Sequence, residues 1–553
     1  MFGLSTPTAT FPTAQTPVFC AAGAIAAAGL GFAYYVDATN GDDLNRGYSP
    51  GTAWKTIAKV NAATFGPGDR ILFKRGELWR GASLTVPADY LTFGAYGAGA
   101  NPLLDETQDF ISGWTQDGAN NDWYRNTGTV GNPNQVFENG IRLTKVASQA
   151  LVRTTAASFW WDASANIYVH CTGDTNPNGG ANVISHPNAG TAAHNIMMNG
   201  KGWLVFDSID TRNGKSSGFA MSEVSGAHDI VIRNCQSSFN VQHGFSMGGY
   251  TAYGHYNITF QNCIAHDNLG QGFWVGNGQD ILVDRCTVYN AGLDSGKISV
   301  TNPGFSIIAG IRSVRVTVRG CNVYATAVGA GIMVEQEAGY AVPTDCVVSG
   351  NTVTHNSLLT GSSAAILIEG HNTLVKNNVV ISNKNVNGGI QVAWVDTQPD
   401  SNRILNNTIW MSYTYAYCIN LVRGTNTLVR NNLLYRSGNP SRGYISVAAT
   451  GLTGADIEYN AYTQEGGSIS WSWNGVEKTS FASWQTAVTG GDPHSTSGGN
   501  PDFVDVVAAA HLRILVGSIA RNAGIAVGVT DDFDGNARPL GAGYDIGAYE
   551  YIE

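Results

Sequence analysis

Glu335 and Glu369 are the residues whose type and spacing point most directly to chemistry. They stand at matching places in two short apolar stretches, GIMVEQ and AILIEG, 34 residues apart. If these stretches are neighbouring parallel strands, about 4.8 Å apart, the two carboxylates project side by side. Like charges that close raise one pKa, or else draw in a cation or a basic side chain. A pair about 5 Å apart suits a retaining glycosidase, with one glutamate as proton donor and the other as nucleophile. The same pair could instead ligate Ca²⁺ that neutralises a uronate carboxylate, leaving a nearby base to drive β-elimination. The plain alternative is two solvated charges on a strand edge. A slip of one residue in the alignment would turn either side chain inward.

Other candidates gather around this pair. The stretches LDSGKISVTNPG and EQEAGYAVPTD lengthen the chain beside it and carry Asp294, Lys297, Glu337 and Tyr340. Long loops on one side of a rigid scaffold can wall a groove. Trp274 is expected to face outward and to offer an indole plate to a sugar ring, or else to pack under a loop. His243, His266 and Asp267 sit near the turn before this face and could supply an acid or base near neutral pH.

The elements that must position these residues are repeats. Nine segments share one phrase: IVIRNC, ITFQNC, ILVDRC, VTVRGC, VVSGN, LVKNN, ILNN, LVRNN and IEYN. Their aligned position runs Cys235, Cys263, Cys286, Cys321, Asn351, Asn378, Asn407, Asn432 and Asn460, with spacings of 28, 23, 35, 30, 27, 29, 25 and 28 residues. A period of that length built on short strands and polar turns marks a solenoid, whose coils bury their apolar side only by stacking. A second strand per coil reads GFAMSE, GFSMGG, GFWVGN, GFSIIA, GIMVEQ, AILIEG, GIQVAW and CINLVR. Alternation sends Phe219, Met221, Phe245, Met247, Phe273, Val275, Ile332, Val334, Ile366 and Ile368 inward. One outward column is Ala220, Ser246, Trp274, Ser306, Met333, Leu367, Gln391 and Asn420. The next is Ser222, Gly248, Gly276, Ile308, Glu335, Glu369, Ala393 and Val422.

Composition fits this reading. Charged residues are 13% of 553, Gly numbers 68 and aromatics reach 10%. Polarity is carried mainly by Asn, Ser, Thr and Gly, as turn-rich β structure requires. The net charge of −10, with no Lys/Arg run, argues against a nucleic-acid partner. Four of the eight cysteines share the repeat position with Asn, so they are expected to stack as a buried ladder and not as disulfides or a zinc site. The first 36 residues carry no charge. They lack the basic start of a secretory signal and are too rich in Ala and Gly for a transmembrane span, which leaves a docking arm or an atypical signal.

Residues 34–104 include YYVDATNGDDLNRGYSPGTAWKTIAKVNAATFGPGDRILFKRG. TAWKTIAKVNAA reads as a helix with Thr52 as its cap, able to cover the open end of the core. This opening resembles that of right-handed parallel β-helix proteins of the pectate-lyase-like superfamily, a group that includes secreted polysaccharide lyases and phage tailspike depolymerases. ASFWWDASANIYVHCTGDTNPNG reads as an antiparallel hairpin, similar to the small β insertion that interrupts many such helices. Its aromatics are expected in a core. SFASWQTAVTGGDPHS reads as helical. The ending DDFDGNARPLGAGYDIGAYE is similar to the superfamily's C-terminal cap, so Asp531, Asp532, Asp534 and Glu550 are expected to be structural.

The expected fold is therefore all-β: a right-handed parallel β-helix with an N-terminal capping helix, an antiparallel insertion and a C-terminal capping segment. The parts are an uncharged arm (1–33), cap and first coils (34–104), insertion (105–190), helix with the groove (191–462) and C-terminal cap (463–553). The resemblance implies a polysaccharide depolymerase, tailspike-like, and the matched positions of Glu335 and Glu369 point to hydrolysis by that pair. Trp274, Lys297, Glu337, Tyr340 and His243 would bind substrate. The alternatives are a calcium-dependent lyase on uronate polymers, in which Glu335 and Glu369 hold the metal, and a non-catalytic glycan-binding spike. A homotrimer, contacts with phage tail or baseplate proteins, no membrane, and a place on a virion tail or secreted outside the cell complete the expectation.

Overall fold

In a computed structural model the chain is described over residues 31–126, 133–162, 166–187, 194–221, 226–248, 254–292, 306–325, 329–354, 364–382, 388–393, 397–412, 415–437, 442–448, 452–465, 470–504 and 512–553. Residues 1–30, Asp294 and Lys297 lie outside the described residues, so the uncharged arm, Cys20 and the first of the two long stretches have no structural account.

Each coil runs through three strands, one in each of three sheets of thirteen strands. Pairing is parallel between successive coils in all three; the last pair of the third sheet, Trp471–Trp473 with Val476–Lys478, is antiparallel. The stack begins before the insertion: Arg70–Lys74 pairs Thr92–Tyr96, which pairs Gly202–Asp207 across it. The first and second sheets are joined by a two-residue turn that repeats at every coil from Gly202–Asp207 to Asp456–Glu458. Its first residue has a left-handed backbone, as in Asn234, Asn262, Gly320, Gly350, Asn377, Asn406 and Asn431, with φ between 51° and 62°. Asn and Gly tolerate that conformation best; Arg285 and Tyr459 occupy it at two coils.

The residue after that turn is the Cys/Asn position of the repeat, and it lies inside. Cys235, Cys263, Cys286 and Cys321 are buried free thiols, as are the other described cysteines. From Asn351 onward the same place holds a chain of hydrogen bonds. The side-chain oxygen of Asn378 accepts both the backbone N–H (3.0 Å) and the side-chain N–H (2.9 Å) of Asn351. Asn407, Asn432 and Asn460 repeat the pattern, each accepting from the Asn one coil earlier. Ser495 Oγ closes the ladder on the N–H of Asn460 at 2.8 Å, and Cys321 N–H opens it on Asn351 at 2.9 Å. These amides are fully buried and each side-chain oxygen accepts at least one hydrogen bond, which is the condition for a polar group to sit in an apolar core.

The inward set of the third sheet is as expected, with Phe219, Met221, Phe245, Met247, Phe273, Val275, Ile332, Val334, Ile366 and Ile368 all in one continuous core. Phe219, Phe245 and Phe273 stack nearly parallel, 5.0 and 4.6 Å apart. The capping helix is shorter than expected, Ile57–Ala62, and its cap is Thr56, whose Oγ1 accepts the Lys59 N–H at 3.1 Å. Thr52 instead ends a 3₁₀ turn, because Pro50 opens that turn and the chain is extended again at Ala53.

Between the strands Leu103–Asp105 and Ile196–Met197 the insertion forms two small sheets, a four-stranded one and a five-stranded one. The expected hairpin is present, Ser158–Trp161 against Asn166–His170. Trp114, Phe159, Ile167 and Ile184 make its core. At the other end the helix Phe481–Ala487 buries Trp484. The last segment then packs Leu512, Ala548 and Tyr549 on Val379 and Ile381, and Ile514 and Ile546 on Leu433 and Ala461, covering the outer face of the second sheet. Its acidic residues do structural jobs: Glu550 pairs with Arg538 at 2.6 Å, Asp531 with Lys376 at 2.5 Å and Asp534 with Arg513 at 2.7 Å, while Asp532 accepts backbone N–H groups of its own turn.

Candidate active site

The third sheet carries the candidate residues. Met333 pairs Leu367 and Val334 pairs Ile368, so Glu335 and Glu369, one residue further on, occupy the same register on neighbouring strands. Backbone bonds extend the register through both: Glu335 N–H reaches Ala309 O at 2.9 Å and Glu369 N–H reaches Val334 O at 2.8 Å. The two glutamates therefore stand one strand spacing apart, about 4.8 Å. Neither is a solvated edge charge: Glu335 is 2% exposed and Glu369 is 3% exposed. Glu369 Oε2 also accepts the backbone N–H of Gln336 at 3.2 Å, a bond from one coil to the next.

The column around them differs from the expected one at a single coil. Trp274 pairs Ile308, not Ser306, and Gly310, not Ile308, precedes Glu335. The reason is the 35-residue spacing, whose extra length falls between the second and third strands and hides the start of Ile307–Ala309.

Trp274 is not an exposed plate. It is 7% exposed and belongs to an apolar outer cluster with Ile308, Ala330, Met333, Ala364 and Leu367. Its Nε1 donates to Gly248 O at 2.9 Å and its ring stacks on His243, centroids 5.8 Å apart. A methyl group on Gly276 or Gly310 would lie 3.2 to 3.6 Å from this indole. The two glycines just before Glu335 in the column thus leave the space the indole fills.

His243 is also unsuited to proton transfer near neutral pH, since burial, reinforced by the nearby His194, pushes it down to about 4. It is a neutral ring supporting Trp274. His266 lies on a different sheet, where its Nδ1 meets Asp267 Oδ2 at 2.6 Å and its ring stacks on Tyr289.

Glu337 and Tyr340 lie in the segment after Glu335. The Tyr340 ring lies 4.9 Å under the Arg312 guanidinium, and Arg312 N–H bonds to Ala341 O, so this segment folds back on the coil before it. His371 N–H bonds to Pro343 O at 2.9 Å, which ties the same segment to the turn after Glu369. Gly370 permits this approach: a methyl group there would lie 2.7 Å from Val334 Cγ1 and 2.8 Å from Pro343 O. Arg312 and Gln336 were missed in the sequence because their role depends on which coil lies next to which. Among the described residues no group of three or more His, Cys, Asp and Glu side chains is arranged to hold a metal ion.

Residues 194–409 match the family described as a right handed beta helix region. The chain folds as a right-handed parallel β-helix. The solved structure of XylC in complex with xylose superposes with a TM-score of 0.61, covering 94% of this chain and 99% of that one at 11% identity. Pectate lyase Pel9A covers 95% of this chain and 97% of its own at 13% identity, with a TM-score of 0.43. At 11% identity the likeness to XylC is one of fold. In sequence, a lacto-N-biosidase of Bifidobacterium longum subsp. longum is 36% identical over 111 residues, which is 18% of this chain and 7% of that protein. The chain therefore spans only a small part of that relative's length.

Proposed function

We propose that this chain is a glycoside hydrolase acting on a bacterial surface or extracellular glycan, with Glu335 and Glu369 as its carboxylate pair. The observation that carries this reading is their shared register on neighbouring strands at one buried corner of the helix. A retaining mechanism uses two carboxyl groups about 5 Å apart, one protonating the leaving oxygen while the other attacks the anomeric carbon, and a backbone spacing of about 4.8 Å allows the two side chains that separation. Glu369 is held by the Gln336 N–H, a donor that favours the ionised form, so it takes the nucleophile role and Glu335 the acid role. The xylose seen with XylC and the glycosidase activity named for the Bifidobacterium relative support a sugar substrate. The uncharged arm of residues 1–33 supports a trimeric, tailspike-like setting.

The test is incubation with aryl β-xylosides, aryl lacto-N-biosides and a panel of capsular and algal polymers, following reducing ends and the ultraviolet absorbance of unsaturated uronate ends together. Reducing ends alone, lost in Glu335→Gln and Glu369→Gln, are expected. Absorbance that disappears with a chelator would replace hydrolysis by elimination, and glycan binding with no cleavage would replace the enzyme by a binding spike. Light scattering that gives the mass of one chain would remove the trimer.

A further inference from the structure

A second site lies where the insertion meets the helix, at the corner after the second sheet, whereas Glu335 and Glu369 lie at the corner after the third. A cavity of about 330 Å³ opens there. Arg80, Asp105, Arg212, Asn213 and Phe239 form its floor from the ends of successive coils, and Asp109, Asn139 and Ser185 form its wall from the insertion. The volume is at the small end of ligand sites and holds one or two sugar rings, not a polymer segment.

Its charges cancel within the site. Asp105 is fully buried and accepts from Arg212 Nε (2.7 Å), Asn213 Nδ2 (3.0 Å) and the Thr107 backbone and hydroxyl (2.8 and 2.6 Å). Arg80 lies 3.4 Å from Asp105 and 3.1 Å from Asp109. Two arginines against two aspartates leave no net charge to attract an ion. One acceptor remains unsatisfied: Asn213 is 6% exposed, its amide donates to Asp105, and its Oδ1 is buried without a hydrogen-bond partner. A buried carbonyl oxygen of this kind needs a donor. A carboxylate or sulfate brings only acceptors, whereas a sugar hydroxyl brings both a donor and an acceptor. Arg212 makes its described bonds through Nε alone, which leaves its terminal amines able to donate to the same hydroxyls. Phe239 supplies an apolar surface for a ring's C–H face, and it is held by Arg142, 5.1 Å above it, and by the edge of Phe137 at 6.0 Å.

We infer that this cavity is a binding subsite for a neutral pyranose unit, separate from the paired glutamates. The site requires both the insertion and the coils, so it gives the insertion a ligand-binding role that no catalytic residue depends on. The inference does not rest on the hydrolase reading.

The experiment uses the full chain carrying Glu335→Gln. It is titrated with D-xylose, D-galactose, N-acetyl-D-glucosamine and D-glucuronate, none of which has a glycosidic bond to cleave, by saturation-transfer NMR and calorimetry, so that the substitution serves to separate the cavity from the glutamates. At least one neutral sugar is expected to bind saturably, and more tightly than glucuronate. Asn213→Gly removes the orphaned acceptor while keeping the φ of 59° that glycine accepts, and Val183→Trp fills the cavity from the insertion side. Each is expected to weaken binding at least tenfold, Val183→Trp at an unchanged melting temperature and Asn213→Gly at a lower one because it also removes the Nδ2 bond to Asp105, and restoring Glu335 leaves the affinity unchanged. Failure of every neutral sugar to bind, tighter binding of glucuronate, or full affinity in both cavity variants would overturn the inference. Loss of affinity on restoring Glu335 would do so too, by placing the binding at the glutamates.

Discussion

The carboxylate of Glu369 accepts the backbone N–H of Gln336, 3.2 Å away on the preceding coil, so the second glutamate is oriented by the residue that follows the first. The two are thus coupled through one peptide unit, and a change in the chain at either coil reaches both.

Substitution of either glutamate by Gln keeps its size and removes its charge. Loss of a general acid or nucleophile costs at least ~10²-fold in kcat. Glu335→Gln and Glu369→Gln are each expected to lower kcat on an aryl glycoside by that factor, with KM nearly unchanged. In the corresponding alanine variants external azide is expected to give the glycosyl azide of inverted configuration when the nucleophile is removed and of retained configuration when the acid is removed. Full activity in both variants would remove the pair from the mechanism.

Gly370 is expected to be intolerant. Its replacement by Ala pushes a methyl group against Val334 and the Pro343 carbonyl, so one of the two coils must move. Overpacking of this kind costs about 1–3 kcal/mol. Because Glu369 is the adjacent residue, Gly370→Ala should lower kcat as well as the urea midpoint. An unchanged midpoint would show that the approach is looser than described.

The asparagine ladder makes a different prediction. Asn407→Ala removes the oxygen that accepts two N–H groups from Asn378 and leaves both buried. Each orphaned donor costs about 1–3 kcal/mol. Asn407→Ala should therefore destabilise far more than truncation of an exposed residue such as Tyr415, as urea unfolding would measure.

Four histidines set a pH dependence. Burial pushes His186, His194, His243 and His255 down to about 4 from an ordinary value of 6.5. The unfolded chain then binds more protons than the folded one between those values, so their contribution is complete above 6.5 and is lost as pH falls toward 4, by about 3 kcal/mol each at most. Asp492 opposes them: burial raises it to about 6 from 3.8, which favours the fold as pH falls through the same window. Burial also raises Asp210 and Glu550, which act in the same sense as Asp492; with the four histidines shifted furthest, the melting temperature is expected to fall between pH 6.5 and 4. His186→Gln should flatten that slope by one proton, and an unaltered slope would show that His186 is not titrating as described.

Much of the fold was legible because the same physical requirement recurs in every coil. The Cys/Asn column is readable since a small apolar group or a self-complementary amide is what a tight interior turn admits, and Asn378, Asn407 and Asn432 mark it plainly. The left-handed residue before that column is equally visible, in Asn377, Asn406 and Asn431, although its meaning emerges only with the backbone angles. Glu335 and Glu369 were readable as a pair because both strands carry the inward Ile/Val pattern. Their burial was not, since it depends on where the segment around Tyr340 lies. Trp274 misled for a similar reason: alternation says that it leaves the core, and only the glycines at 276 and 310 show that a second, outer cluster receives it. The cavity at Asn213 left no sequence signal, because its lining is scattered between Arg80 and Phe239 and only the folded coils and insertion bring it together.

The asparagine ladder also bears on how this molecule can change. Successive rungs from Asn351 to Asn460 are separated by 27, 29, 25 and 28 residues, yet the amide geometry is the same at each. Alignment of the stack is fixed at one edge, so the opposite corners can gain or lose residues without shifting any strand. Evolution can remodel the surfaces that meet ligands one corner at a time, while the spine that carries them stays in phase.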